Sequence, residues 1–93
     1  MKSTYELTIV LPAEDKKLTD EVKKLVKDFI TKVKGKIKKE ESWGVKNLAY
    51  PIQKQNKGLY EFYVLELDTT DQPELHRLLN LKEGILRYLF VRV

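Results

Sequence analysis

The side chains that could do chemistry in this chain are few, and their spacing points away from catalysis. The single imidazole, His76, stands between Leu75 and Arg77; with no Cys and no second His it completes neither a metal site nor a nucleophile pair. The adjacent carboxylates Glu14-Asp15 and Glu40-Glu41 fall in polar stretches that lack the apolar surroundings needed to raise a pKa for acid–base work, so they read as solvated charges. No small-molecule substrate, cofactor or metal is expected. What remains is an excess of cations, 18 Lys and Arg against 14 Asp and Glu. Phosphate backbones attract such a chain by releasing condensed counterions. Only Arg77, Arg87 and Arg92 are arginines, so bidentate contacts are scarce and point-charge attraction dominates, which favours recognition of shape over base sequence. The cations and the amide set aside for a phosphate ligand are Lys2, Lys46, Asn47, Lys54, Arg87 and Arg92. Lys16, Lys23, Lys24 and Lys27 are assigned to solvating a helix.

Those residues need a scaffold. Apolar side chains at Tyr5, Leu7, Ile9 and Leu11 alternate with Glu6 and Thr8, the period of a half-buried strand. From Val22 the spacing changes to three and four (Leu25, Val26, Phe29, Ile30, Val33), which predicts an amphipathic helix with Thr19 as its N-cap and Gly35 as its left-handed stop. A polar arm, Ile37 to Ser42, leads into a second strand, Trp43 to Ile52, with a bulge expected near Gly44 and a sheet edge expected at Pro51. Gln53 to Gly58 reads as a turn and Leu59 to Leu67 as the third strand. Asp71 and Glu74 have capping-box spacing ahead of a short helix buried through Leu75, Leu78 and Leu79, and Ile85 to Val93 forms the last strand.

This βαββαβ order predicts an α+β, ferredoxin-like sandwich: one four-stranded antiparallel sheet with two helices on one face, built from residues 1–93 as a single domain. A chain of 93 residues has room for one core. The third and fourth strands are apolar on both parities. With Tyr63, Leu65, Leu67, Tyr88 and Phe90 under the helices, Tyr60, Phe62, Val64, Leu89 and Val91 fall on the open face, where an apolar band marks a protein partner. The fold also hosts acylphosphatases, but their Gly-rich, Arg-bearing phosphate loop is replaced here by Pro12-Ala13-Glu14-Asp15, which repels phosphate. A stand-alone single-stranded RNA-binding module of the RNA-recognition-motif type is the alternative, stacking bases on Tyr60 and Phe62; against it, Leu59 and Glu61 stand where that motif places two rings. Cysteine is absent and the N-terminal residues hold no long apolar run, so a cytoplasmic location and no membrane association are expected.

The stretch Gly44-Val45-Lys46-Asn47-Leu48-Ala49-Tyr50-Pro51-Ile52 resembles the signature of the bacterial small-subunit ribosomal protein S6 family, Gly-x-Lys/Arg-polar-Leu-Ala/Ser-Tyr-x-Ile. The resemblance runs from Tyr5-Glu6-Leu7 to Val93. It implies a non-catalytic, ribosome-bound protein of the small subunit that binds the central domain of small-subunit ribosomal RNA as a heterodimer with the eighteenth small-subunit protein. That partner would cover the apolar band. Carried onto this chain, it assigns Gly44, Lys46, Asn47, Leu48, Ala49, Tyr50 and Ile52 to the signature, with Leu48, Tyr50 and Ile52 structural and Lys46 and Asn47 functional, and it matches Arg87 to a basic position of the last strand. The chain departs from the family at Ser3-Thr4, where members often carry Arg, and at Gln53, where a basic or small residue is commoner. The extension many members carry after the last strand has no counterpart following Val93, so no role is given to a tail.

Overall fold

The elements follow in the order β1 (Lys2–Pro12), α1 (Lys16–Lys32), β2 (Lys36–Ile52), β3 (Gln55–Asp68), α2 (Gln72–Leu81) and β4 (Arg87–Arg92), seen in a computed structural model that describes residues 1–52 and 55–93. This is the expected βαββαβ succession. The strands form one antiparallel sheet in the order β2-β3-β1-β4. β1 pairs with β3 from Lys2 opposite Asp68 to Pro12 opposite Gly58, and on its other side with β4 from Tyr5 opposite Arg92 to Val10 opposite Arg87. The strand period of two sends Tyr5, Leu7, Ile9 and Leu11 of β1 and Tyr63, Leu65 and Leu67 of β3 to one side, where they meet Val22, Val26, Phe29 and Ile30 of α1 and Leu75 and Leu79 of α2. Each large side chain so buried contributes about 1.5–3 kcal/mol. The helices occupy one face of a ferredoxin-like α+β sandwich.

The ends of α1 differ from the sequence reading. The helix begins four residues before the expected cap at Thr19 implies, because Leu18 is buried and extends the stripe backwards. Asp15 rather than Thr19 is the N-cap: its Oδ1 accepts from the Leu18 N–H at 3.0 Å. Thr19 lies inside the first turn and donates its hydroxyl to the Asp15 carbonyl at 3.1 Å. At the other end Lys34, not Gly35, takes the left-handed conformation, with φ 59°. The Gly35 N–H donates to the Ile30 carbonyl at 2.8 Å and the Lys34 N–H to that of Thr31 at 3.1 Å, the paired bonds of a Schellman cap. Gly35 is required for space, since a Cβ there would lie 2.6 Å from the Glu66 carbonyl oxygen.

The Asp71–Glu74 capping box does not form. Asp71 makes no side-chain cap bond and Glu74 pairs with Arg77. Asp68 does the local work instead: its carboxylate accepts from the Thr70 N–H at 3.0 Å, the Thr70 hydroxyl at 2.8 Å and the Met1 amino group at 2.8 Å. Those donors, the amino group first, hold its carboxyl well below the usual carboxylate range.

The polar arm is part of β2, which runs unbroken to Ile52 as the sheet edge beside β3 and so accommodates Pro51. Its register shifts between Ile37 and Lys39, between Ser42 and Gly44, and between Asn47 and Ile52. Of the expected 53–58 turn, residues 55–58 belong to β3 and the rest lies outside the described residues.

Candidate nucleic-acid and partner interface

The sheet register lays out the open face as rows. Leu89, Thr8 and Phe62 share one, and Val91, Glu6 and Val64 the next; Arg87, Val10 and Tyr60 form the row towards the β2–β3 hairpin. All five residues assigned to the apolar band, Tyr60, Phe62, Val64, Leu89 and Val91, therefore stand on the uncovered side. The β4 pair is the most open, Leu89 at 60% and Val91 at 43% exposure.

The bulge expected near Gly44 reorganises the β2 half. Ser42 pairs with Glu61 and Gly44 with Tyr60, leaving Trp43 as an extra residue. Gly44 has φ 79° with nothing near its missing Cβ, so glycine is needed there for the backbone angle alone. Alternation from Glu41, opposite Phe62, puts Trp43 on the open face, where its indole stacks on Phe62 with ring centroids 4.8 Å apart and planes 17° from parallel. Past the bulge the parity is reset and Lys46 rises on the same side. Its ammonium lies 5.2 Å from the Trp43 ring and 5.5 Å from the Tyr60 ring.

The third irregularity carries the signature across the sheet. Leu48, Ala49, Tyr50 and Ile52 line a small concavity of about 100 Å³ with Val10, Tyr60 and Arg87. Val10, though on the open face, is only 5% exposed beneath them. Tyr50, read from sequence as structural, is 55% exposed; it accepts a hydrogen bond from the Arg87 guanidinium, which sits 5.6 Å from the phenol ring. Lys46 and Arg87 are thus gathered at one end of the open face, each held by an aromatic ring of the β2–β3 hairpin.

The other proposed phosphate contacts are not brought to this cluster. Asn47 is opposite Lys57 and, one residue on from Lys46, points to the other side of the hairpin. Arg92 is opposite buried Tyr5 and so belongs to the helix side of the β4 edge, not to the rim of the band. Lys2 lies at the far end of β1 and donates to the Lys34 carbonyl at 3.3 Å, closing α1. Lys54 lies outside the described residues.

Sequence reasoning passed over Trp43, Val10, the Tyr50–Arg87 contact and Glu61. The last is 2% exposed within the helix-covered layer and ion-paired with Lys23 at 3.4 Å. Burial, reinforced by Glu40 and Glu61, pushes the neighbouring Tyr63 hydroxyl above its ordinary range. Lys23 and Lys27, expected from sequence only to solvate the helix, are engaged in ion pairs, Lys27 with Glu40 at 3.5 Å. Among the described residues no group of three or more His, Cys, Asp or Glu is placed to hold a metal, and no helix is long and apolar enough to cross a membrane.

Comparison with known proteins gives this geometry a family. The family model for ribosomal protein S6 matches residues 4–92. Small ribosomal subunit protein bS6 of Corynebacterium efficiens is 36% identical over 90 residues, covering 96% of this chain and 95% of the relative. The same protein of Corynebacterium aurimucosum is 39% identical, covering 95% and 93%. The crystal structure of 30S ribosomal protein S6 from Thermotoga maritima superposes with a TM-score of 0.86 at 26% identity, covering all of this chain and 89% of that one. Spanning nearly the whole sequence and the whole fold together, these matches establish that the chain belongs to the ribosomal protein S6 family of the small ribosomal subunit.

Proposed function

We propose that this chain is a structural constituent of the small ribosomal subunit in the cytoplasm, binding the central domain of small-subunit ribosomal RNA as one half of a heterodimer with the eighteenth small-subunit protein. The observation that carries the reading is the division of the open face. Lys46 and Arg87 collect at the hairpin end, whereas Leu89 and Val91 leave an apolar strip along β4. On this reading the strip takes the protein partner and the cations take phosphates beside it; Lys2, Asn47, Lys54 and Arg92 are secondary contacts. A stand-alone stacking module is the weaker alternative, because Trp43 already covers Phe62 and the Lys46 ammonium lies over Tyr60.

The test is binding to the central-domain RNA junction as a function of salt, with and without the eighteenth small-subunit protein. The reading expects tight binding only with the partner, and a log–log salt slope that falls by about 0.7–0.9 on Lys46→Ala. Equal binding without the partner would overturn the heterodimer and favour the stacking module.

A further inference from the structure

Among the described residues, the open face carries one carboxylate that no cation matches. Glu6 lies on an inner strand, between Val64 of β3 and Val91 of β4, with the Phe62–Thr8–Leu89 row beside it. Other carboxylates on this face are matched: Glu41 by Lys39 at 3.6 Å, Glu66 by Lys38 at 3.4 Å and Asp68 by the Met1 amino group at 2.8 Å. Glu6 is exposed, and among the described residues no cation or hydrogen-bond donor engages its side chain. Lys46 and Arg87 stay at the hairpin end on their aromatic rings.

A lone carboxylate set between two valines has consequences for whatever covers them. It repels a phosphate backbone. A surface that buries the valines must either bring a cation or leave a charge buried and unpaired, which disfavours every partner lacking that cation. The neighbouring concavity of about 220 Å³, lined by Thr8, Val10, Tyr60, Arg87 and Leu89 among others, is a seat for an apolar side chain of the same partner. The geometry points to Glu6 as the specificity-determining contact of a protein docking surface: the apolar band receives a protein that presents an Arg or Lys to this carboxylate, and RNA is kept off that half of the sheet. This rests on the reading that the open face docks a protein partner, and it adds the partner's chemistry.

The test is calorimetry of the whole chain with the eighteenth small-subunit protein across a range of salt, together with RNA binding by the chain alone. Glu6→Gln, a near-isosteric change at an exposed site, is expected to weaken association about tenfold or more and to flatten its salt dependence. Glu6→Lys abolishes it, and a basic-to-acidic change in the partner restores binding to that variant. Leu89→Ala weakens association without changing its salt dependence. Unchanged affinity in Glu6→Gln and Glu6→Lys, with a loss in Leu89→Ala, would overturn the role of Glu6 and leave the docking surface standing. No association of the unaltered chain, or none of these substitutions having an effect, would remove the docking surface and this inference with it. Loss of RNA binding by the chain alone on Leu89→Ala would place RNA on the band and overturn the assignment.

Discussion

The contact between Tyr50 and Arg87 makes a prediction that separates positioning from charge. Tyr50→Phe deletes the hydrogen bond to the guanidinium and keeps the ring beneath it. A hydrogen bond to a charged group contributes about 1.5–3 kcal/mol when sheltered. Tyr50 is more than half exposed, so water competes and about 0.5–1 kcal/mol remains. The cation–π attraction, about 0.5–1 kcal/mol at an open site, survives the change. If Arg87 reaches phosphate from the place where Tyr50 holds it, Tyr50→Phe lowers RNA affinity by roughly two- to fivefold. The salt slope stays the same, because the charge is still present. Arg87→Ala removes the charge, and the slope falls by about 0.7–0.9, a factor of about 3 over a fourfold rise in salt. Fluorescence anisotropy with the central-domain junction and the partner, between about 50 and 200 mM salt, reads both quantities. Wild-type affinity in Tyr50→Phe would refute the positioning role, and an unchanged slope in Arg87→Ala would refute the phosphate contact.

Two further predictions concern the scaffold. Gly35→Ala forces a Cβ towards the Glu66 carbonyl, a backbone atom that cannot swing aside, and is expected to destabilise the fold by about 1–3 kcal/mol in urea unfolding with an unchanged m-value; a loss below a few tenths would show that α1 and β3 separate easily. Asp68→Asn removes the acceptor for Met1 and Thr70. Because the folded-state pKa lies below the unfolded value of about 3.9, the carboxylate's contribution is present above that pH and is lost as pH falls through the folded pKa. The difference in Tm between Asp68→Asn and the parent should therefore be full at neutral pH and shrink in acid; a difference independent of pH would exclude the linkage.

The parts of the fold legible in the sequence are those where one face is buried. β1 alternates because Tyr5, Leu7, Ile9 and Leu11 all enter the core, and α1 reads at three and four because one stripe does. Errors came where a local bond or a close approach overrides periodicity. From sequence Asp15 reads as a solvated charge because its capping role depends on the Leu18 N–H, and Gly35 reads as a left-handed stop although it is a carbonyl oxygen that excludes a side chain there. Gly44 announces the bulge, but not the face to which Lys46 is turned, since one extra residue reverses every later orientation. Arg92 was recoverable: Tyr88 and Phe90 pointing inward put it on their side of β4. The Tyr50–Arg87 contact was not, because it spans three strand spacings and depends on how the hairpin end folds over Val10.

The division of the open face also bears on how the proposed partner would strengthen RNA binding. Pairing Glu6 with a cation removes a negative charge from the surface near Arg87, which suggests electrostatic cooperativity. The magnitude argues against it. Glu6 and Val10, the residue opposite Arg87, are four positions apart on β1, roughly 13 Å at about 3.3 Å per residue. Two unit charges at that distance interact by about 0.3 kcal/mol in water, and a Debye length of about 8 Å reduces even that. Relief of repulsion cannot supply a large coupling. Nor does the fold offer a ready switch, since Lys46 and Arg87 are already seated on their aromatic rings before any ligand arrives. The coupling must come from placement: a partner fixed on Leu89, Val91 and Glu6 brings its own phosphate contacts alongside Lys46 and Arg87, and the second contact then forms at a high effective concentration. On this account a partner that docks normally but has lost its own RNA-contacting cations leaves RNA affinity near that of the chain alone.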